Sequence, residues 1–171
     1  MNLIKIIEKE HSARQRDKVI AYVGDSPARF KELVQVFLQG PYRITQRASW
    51  PLSCCVEQHP ALVKPHLRKL LQLLQKENAH DAVKRNILRL LQFIDIPISL
   101  QGVTAEVCFK FLQDTRQPIA VRVFAMTVLA NIATRQPELK RELKVIIEDQ
   151  LPYGSAGFRS RAMKILATFK E

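Results

Sequence analysis

The sequence predicts an all-α chain in which paired helices stack on one another, and three observations carry that prediction. Apolar residues return at spacings of four, four and three, which keeps them on one stripe of a helix. The frame recurs with a period near 37 residues in two interleaved series. Glycine is scarce, at five in 171 residues, and the apolar residues are mostly Leu, Ile, Val and Ala in spaced clusters, so strands and hairpins have little to build on.

The first series is Ile44/Ala48/Leu52/Cys55, Val83/Ile87/Leu91/Ile94, Val121/Ala125/Leu129/Ile132 and Phe158/Ala162/Leu166/Phe169, with second members 39, 38 and 37 residues apart. The second is Leu33/Phe37, Leu70/Leu74, Val107/Phe111 and Leu143/Ile147, with first members 37, 37 and 36 apart. Two series sharing one period mean helix pairs. A single short pair cannot bury both its stripe and its flanks, so neighbours must stack into a continuous core, the plan of an α-solenoid.

In chain order, residues 1–25 stand outside the frame, and Leu3/Ile7 and Val19/Val23 predict one or two helices that cap the first repeat. Helices of the second series, called A, are expected at about 27–39, 60–77, 100–114 and 137–150, and those of the first, called B, at about 43–58, 81–95, 118–135 and 156–170. Pairing them gives repeats of about 26–58, 59–95, 96–135 and 136–171 within a single domain, 1–171. Pro27, Pro60 and Pro137 fall where A helices should begin, a position at which a missing N–H costs nothing. Asp25-Ser26 supplies a cap ahead of the first, and Gly40-Pro41 and Pro152-Tyr153-Gly154 mark turns from A to B. Inside the first B helix Pro51 should bend the chain, and the bulky Trp50 beside it can fill that bend.

The stretch Phe111-Leu112-Gln113-Asp114 to Ala120-Val121-Arg122-Val123-Phe124-Ala125, followed by Leu129 and Ile132, resembles a HEAT repeat, in which the first helix ends in Asp and the second opens with Val-Arg. The Arg slot recurs as Lys84, Arg122 and Arg159, with Thr45 departing from it; the Asp slot holds Asp114, nearly Glu77, but not Gly40 or Gln150. The resemblance covers roughly residues 26–171. It implies a right-handed α-α superhelix of about four HEAT/armadillo-like pairs plus the N-terminal cap. It also implies that B helices line the concave face and that Asp and Arg side chains of successive repeats form an internal ladder.

Composition narrows the function. The chain carries 27 Lys+Arg against 16 Asp+Glu, a net +11, which favours anionic partners. No apolar run is long enough to span a membrane and the start is too charged for a signal peptide, so a cytoplasmic location is expected. Cys54, Cys55 and Cys108 have neither CxxC spacing nor an even count and are read as small core residues. Phosphate-loop, dinucleotide, HExxH and GxSxG patterns are absent, and His11, His59, His66 and His80 are scattered, so neither an enzyme nor a cofactor is expected. His59 and His80 sit at helix junctions and read as surface or capping residues. Glu148-Asp149 and Glu138/Glu142 lie beside Lys140, Arg141 and Lys144 as ordinary solvated partners.

Charge is unevenly divided. The B segments, with Glu171 counted in the last, hold eleven basic and four acidic residues, a net of +7, and the A segments ten and eight, a net of +2. If B helices face the concave side, as the resemblance implies, the groove is positive. Its candidate partner-binding residues are Arg43, Arg47, Trp50, Arg85, Arg89 and Lys164, interrupted in the third repeat by Val123, Thr127 and Ala130. An exposed Trp beside Arg is a frequent hot-spot pairing. The expected function is a non-catalytic binding or scaffold module that engages an acidic protein or peptide. The alternative is nucleic-acid binding, akin to the HEAT-like glycosylases of alkylated DNA, although those use several groove aromatics and a catalytic Asp where this chain offers one Trp, Glu57 and Asp95. The frame ends at Phe169, two residues before Glu171, so either a polar outer face on the last helix or a homodimer through that end is expected.

Overall fold

The structure is a computed structural model and describes residues 2–169. Ten α-helices and two 3-10 segments make up its regular structure, with no strand among the described residues. The chain divides into two compact units, Met1–Asp95 and Ile96–Glu171.

The first unit opens with α1 (Leu3–Lys9) and α2 (Ala13–Val23), the two capping helices expected from the apolar pairs. Leu3, Ile7, Val19 and Val23 are all buried. Asn2 accepts from the Lys5 N–H at 3.2 Å and Ser12 from the Gln15 N–H at 3.1 Å, which satisfies amides that the first helical turn leaves free. Gly24 ends α2 at φ +51°, a backbone state open to a residue without Cβ. The pair α3 (Pro27–Gln39) and α4 (Tyr42–Gln58) follows, with Pro27 in the first turn of α3 and Ser26 capping it. α4 continues through the buried Pro51.

The next A segment departs from the expected single helix over 60–77. Pro60–His66 is 3-10, and α5 spans only Leu67–Leu74. Pro65 explains the difference: it lacks a backbone donor and disfavours α geometry at the residue before it. The partner B helix, α6 (Asp81–Leu91), ends four residues earlier than expected. Its end tightens through Gln92 N–H to Arg89 O and Phe93 N–H to Leu90 O, ahead of the irregular stretch Asp95-Ile96-Pro97. α4 packs along α6, and buried Asn86 joins them by donating to Ser49 Oγ at 3.0 Å and to Ala82 O at 2.8 Å.

The second unit contains α7 (Ile98–Gln113), α8 (Ile119–Ala133), α9 (Pro137–Gln150), a 3-10 turn at Leu151–Tyr153 and α10 (Ala156–Thr168). α8 packs against α7, α9 and α10, which explains why its apolar residues run almost all round the helix. Gln136 donates to Gln101 Oε1 at 2.8 Å, and Gln101 in turn to Ile96 O at 3.0 Å, tying the start of α9 to that of α7.

The repeated frame is the core. All eight positions of the A series are buried, as are all of the B series except Leu166 and Phe169, which are half-buried at its last two places. Each fully buried Leu, Ile or Phe adds about 1.5–3 kcal/mol of hydrophobic stabilisation, so the register is fixed many times over. Lys170, placed by its sequence in the last helix, lies outside the described residues.

Candidate functional site

The six candidate residues meet different environments. Arg43, in the first turn of α4, and Arg85, on α6, are exposed. Arg89, one turn beyond Arg85, is half-buried and pairs with Glu57 of α4 at 3.6 Å. Arg47 and Trp50 are turned to a different use. Arg47 Nη1 donates to Glu8 O at 2.6 Å and approaches Ile7 O at 3.5 Å, so it satisfies carbonyls at the end of α1.

Trp50 is expected to be exposed but is half-buried. The Arg16 guanidinium lies 4.5 Å from its ring centroid and the His11 ring 5.9 Å away, so the N-terminal hairpin covers the indole through a cation–π contact and a tilted ring pair. The cause is the packing of α1 and α2 on α4.

Arg16, Arg89 and Glu57 converge on one neighbour, the half-buried Cys54. Burial pushes its thiol above the ordinary range; the Arg89 and Arg16 charges oppose that and Glu57 adds to it. Arg16, Trp50, Cys54, Glu57 and Arg89 therefore form one continuous strip across α2, α4 and α6, with Arg85 a turn from Arg89 on the same helix. Charge and hydrophobic periodicity both miss Arg16, which stands outside the repeat frame.

At the first turns of the two B helices, the Tyr42 hydroxyl lies 2.6 Å from His80 Nε2, and His80 Nδ1 accepts the Ala82 N–H at 3.1 Å. A neutral ring whose Nδ1 accepts carries its proton on Nε2, so His80 donates to Tyr42 while capping α6. The capping role read from the sequence for His80 is thereby met. His59 is half-buried at the end of α4 and makes no side-chain capping bond.

In the second unit, Lys164 is exposed on α10. The ladder slots behave individually. Arg122 donates from Nε to Leu112 O at 3.3 Å and from Nη2 to Gln150 Oε1 at 2.8 Å, and its guanidinium stacks 4.8 Å from the Phe158 ring. Asp114 does not bond Arg122 directly: it holds Arg116, by Nε at 2.9 Å and Nη2 at 3.3 Å, and Gln117 at 3.1 Å. These bonds keep its carboxyl well below the usual carboxylate range. Lys84 pairs with Asp81 at 3.4 Å in the first unit, whereas Arg159 is exposed.

Of the three cysteines read as small core residues, Cys55 and Cys108 are buried but Cys54 is only half-buried, and burial raises the Cys55 thiol to about 12. Among the described residues no three His, Cys, Asp or Glu side chains stand close enough to hold a metal ion, and no helix is long and apolar enough to cross a membrane.

Within each unit, consecutive short helices packed on one another with buried, repeating stripes define an α-helical repeat scaffold. The HEAT repeat domain family matches residues 4–169, and the chain belongs to that family. No curated protein and no solved structure matches it. HEAT repeat domains are helical scaffolds, typically non-catalytic, that commonly mediate protein interactions.

Proposed function

We propose that this chain is a non-catalytic scaffold whose B-helix face in the first unit engages an acidic protein or peptide. The observation that carries the reading is the run Arg43, Arg85 and Arg89 on α4 and α6, two of them exposed and the third paired with the partly exposed Glu57 at 3.6 Å. An exposed pair of this kind is worth at most about 1 kcal/mol, so an incoming carboxylate exchanges with Glu57 at little cost. Trp50 enters as the covered edge of the strip rather than as a free anchor, and Arg47 as a support for the hairpin beneath it. Lys164 adds a positive charge to the B-helix face of the second unit. The excess of basic over acidic residues in the B segments supports a partner of negative charge and fast, salt-sensitive capture. A cytoplasmic site of action belongs to the same reading.

The test is capture from a native extract by the wild-type chain beside the Arg85→Glu/Arg89→Glu variant, with both checked for equal helicity. Acidic proteins retained by the wild type and lost from the variant support the proposal. Equal retention by both overturns it. A salt titration against random duplex DNA separates the nucleic-acid alternative, because phosphate contacts give a steep loss of affinity with rising salt.

A further inference from the structure

The first unit carries a second surface with the opposite chemistry. Between α1 and α3, running to the start of α4, lies an open groove of about 840 Å³. Its apolar residues include Ile4, Val36 and Ile44, with Glu8 on the α1 side and Glu32 on the α3 side, and in a chain of net +11 none of the described residues that line it is Lys or Arg. Glu32 is held in place, since the Tyr22 hydroxyl donates to its Oε2 at 2.8 Å and leaves Oε1 for another donor. Ile4 is 46% exposed, large for an apolar residue beside a preformed concavity.

The complementary ridge is on α10. Its exposed residues span about half the helix circumference, at 100° per residue. Ala156, Ser160, Met163 and Ala167 lie toward the middle of that arc, Arg159 at one margin and Lys164 toward the other. Met163 is 57% exposed. A ridge of small residues around Met163 flanked by two cations matches a groove in which Ile4, Val36 and Ile44 lie among uncharged polar residues between two carboxylates, and Met adapts readily to an irregular floor.

We infer that copies of this chain associate head to tail, the α10 ridge of one molecule seated in the α1–α3 groove of the next. The two patches differ, so the contact is heterologous, and association continues beyond two unless a ring closes. The groove is separate from the α4–α6 face proposed for an acidic partner; Lys164 alone enters both readings, and self-association is measured with no acidic partner present.

Sedimentation velocity of the full chain at low salt is expected to show a sedimentation coefficient that rises with concentration and falls back when salt is added. The variant pairs Glu8→Lys/Glu32→Lys and Arg159→Glu/Lys164→Glu should each associate about tenfold or more weakly, and a mixture of the two should associate again because opposite charges then face each other. Met163→Asp, on an exposed position where folding is not at stake, should also abolish association. A wild type that remains monomeric at its highest soluble concentration overturns the inference. So does association that survives either charge reversal, or variants that fail to associate on mixing.

Discussion

Arg122 of α8 and Gln150 at the end of α9 are joined by a 2.8 Å hydrogen bond from guanidinium to side-chain amide oxygen, and the same guanidinium reaches back to Leu112 O at the end of α7. One side chain thus satisfies acceptors at the ends of two successive A helices. The position that the family fills with Asp needs an acceptor oxygen there, and an amide provides it.

Replacing Arg122 by Ala should lower the stability of the second unit by about 1–3 kcal/mol, because the acceptors it serves lose their partner. Arg122→Lys should recover little, since one ammonium cannot reach two acceptors that a planar fork spans. Chemical denaturation of both variants checks this; full recovery by Lys would show that charge alone suffices.

His66 packs on the Phe30 ring at 5.7 Å, and its pKa lies below the ordinary imidazole value, first through burial and then through Lys69 and Lys31. A depressed folded pKa means the unfolded chain takes up its proton first. The site's contribution is complete above the unfolded value near 6.5 and is lost as pH falls from there through the folded value. His66→Gln should therefore flatten the fall of the melting temperature as pH drops below about 6.5, relative to wild type. An unchanged slope would assign the acid sensitivity elsewhere.

Thiol chemistry should distinguish the three cysteines. Cys54 is half-buried, whereas Cys55 and Cys108 are buried with thiols pushed far above neutrality by desolvation. A disulfide reagent should titrate one thiol in the native chain, slowly because the Cys54 thiol is also raised, and three in denaturant. Cys54→Ser should abolish the native reaction.

Gly40 tolerates no side chain. A Cβ there would stand 2.6 Å from Val36 O and 3.1 Å from Ile44 Cγ2, so the turn from α3 to α4 would have to open. Gly40→Ala should destabilise by about 1–3 kcal/mol, read from the urea midpoint, while Gly102→Ala, with nothing within 4 Å of its Cβ, should not.

Much of this architecture is legible in the residues because helices with one buried stripe write their period into the chain. The four B and four A segments, the prolines that open α3 and α9, and the two capping helices can all be read that way. Pro65 is equally visible, yet periodicity alone joins the 3-10 segment that contains it to α5. The site is less legible. Arg43 and Arg85 are exposed as read, but the fates of Arg47 and Trp50 depend on where the N-terminal hairpin packs. Residues 1–24 share no register with the repeats, so no spacing foretells that Arg16 lies on the indole or that the end of α1 rests on Arg47. The exchange of Asp for Gln150 looks like a break in the pattern until the bond from Arg122 shows that the oxygen is retained.

The chain has a single indole, and it sits where α2 leans on α4. Its emission is therefore a local gauge of that junction, sensitive to the stacked guanidinium and imidazole. Far-ultraviolet dichroism instead averages over every helix of the chain. If the two signals part company during heating, the hairpin frays before the repeats melt, and the single tryptophan provides a built-in optical clock for the first step of unfolding.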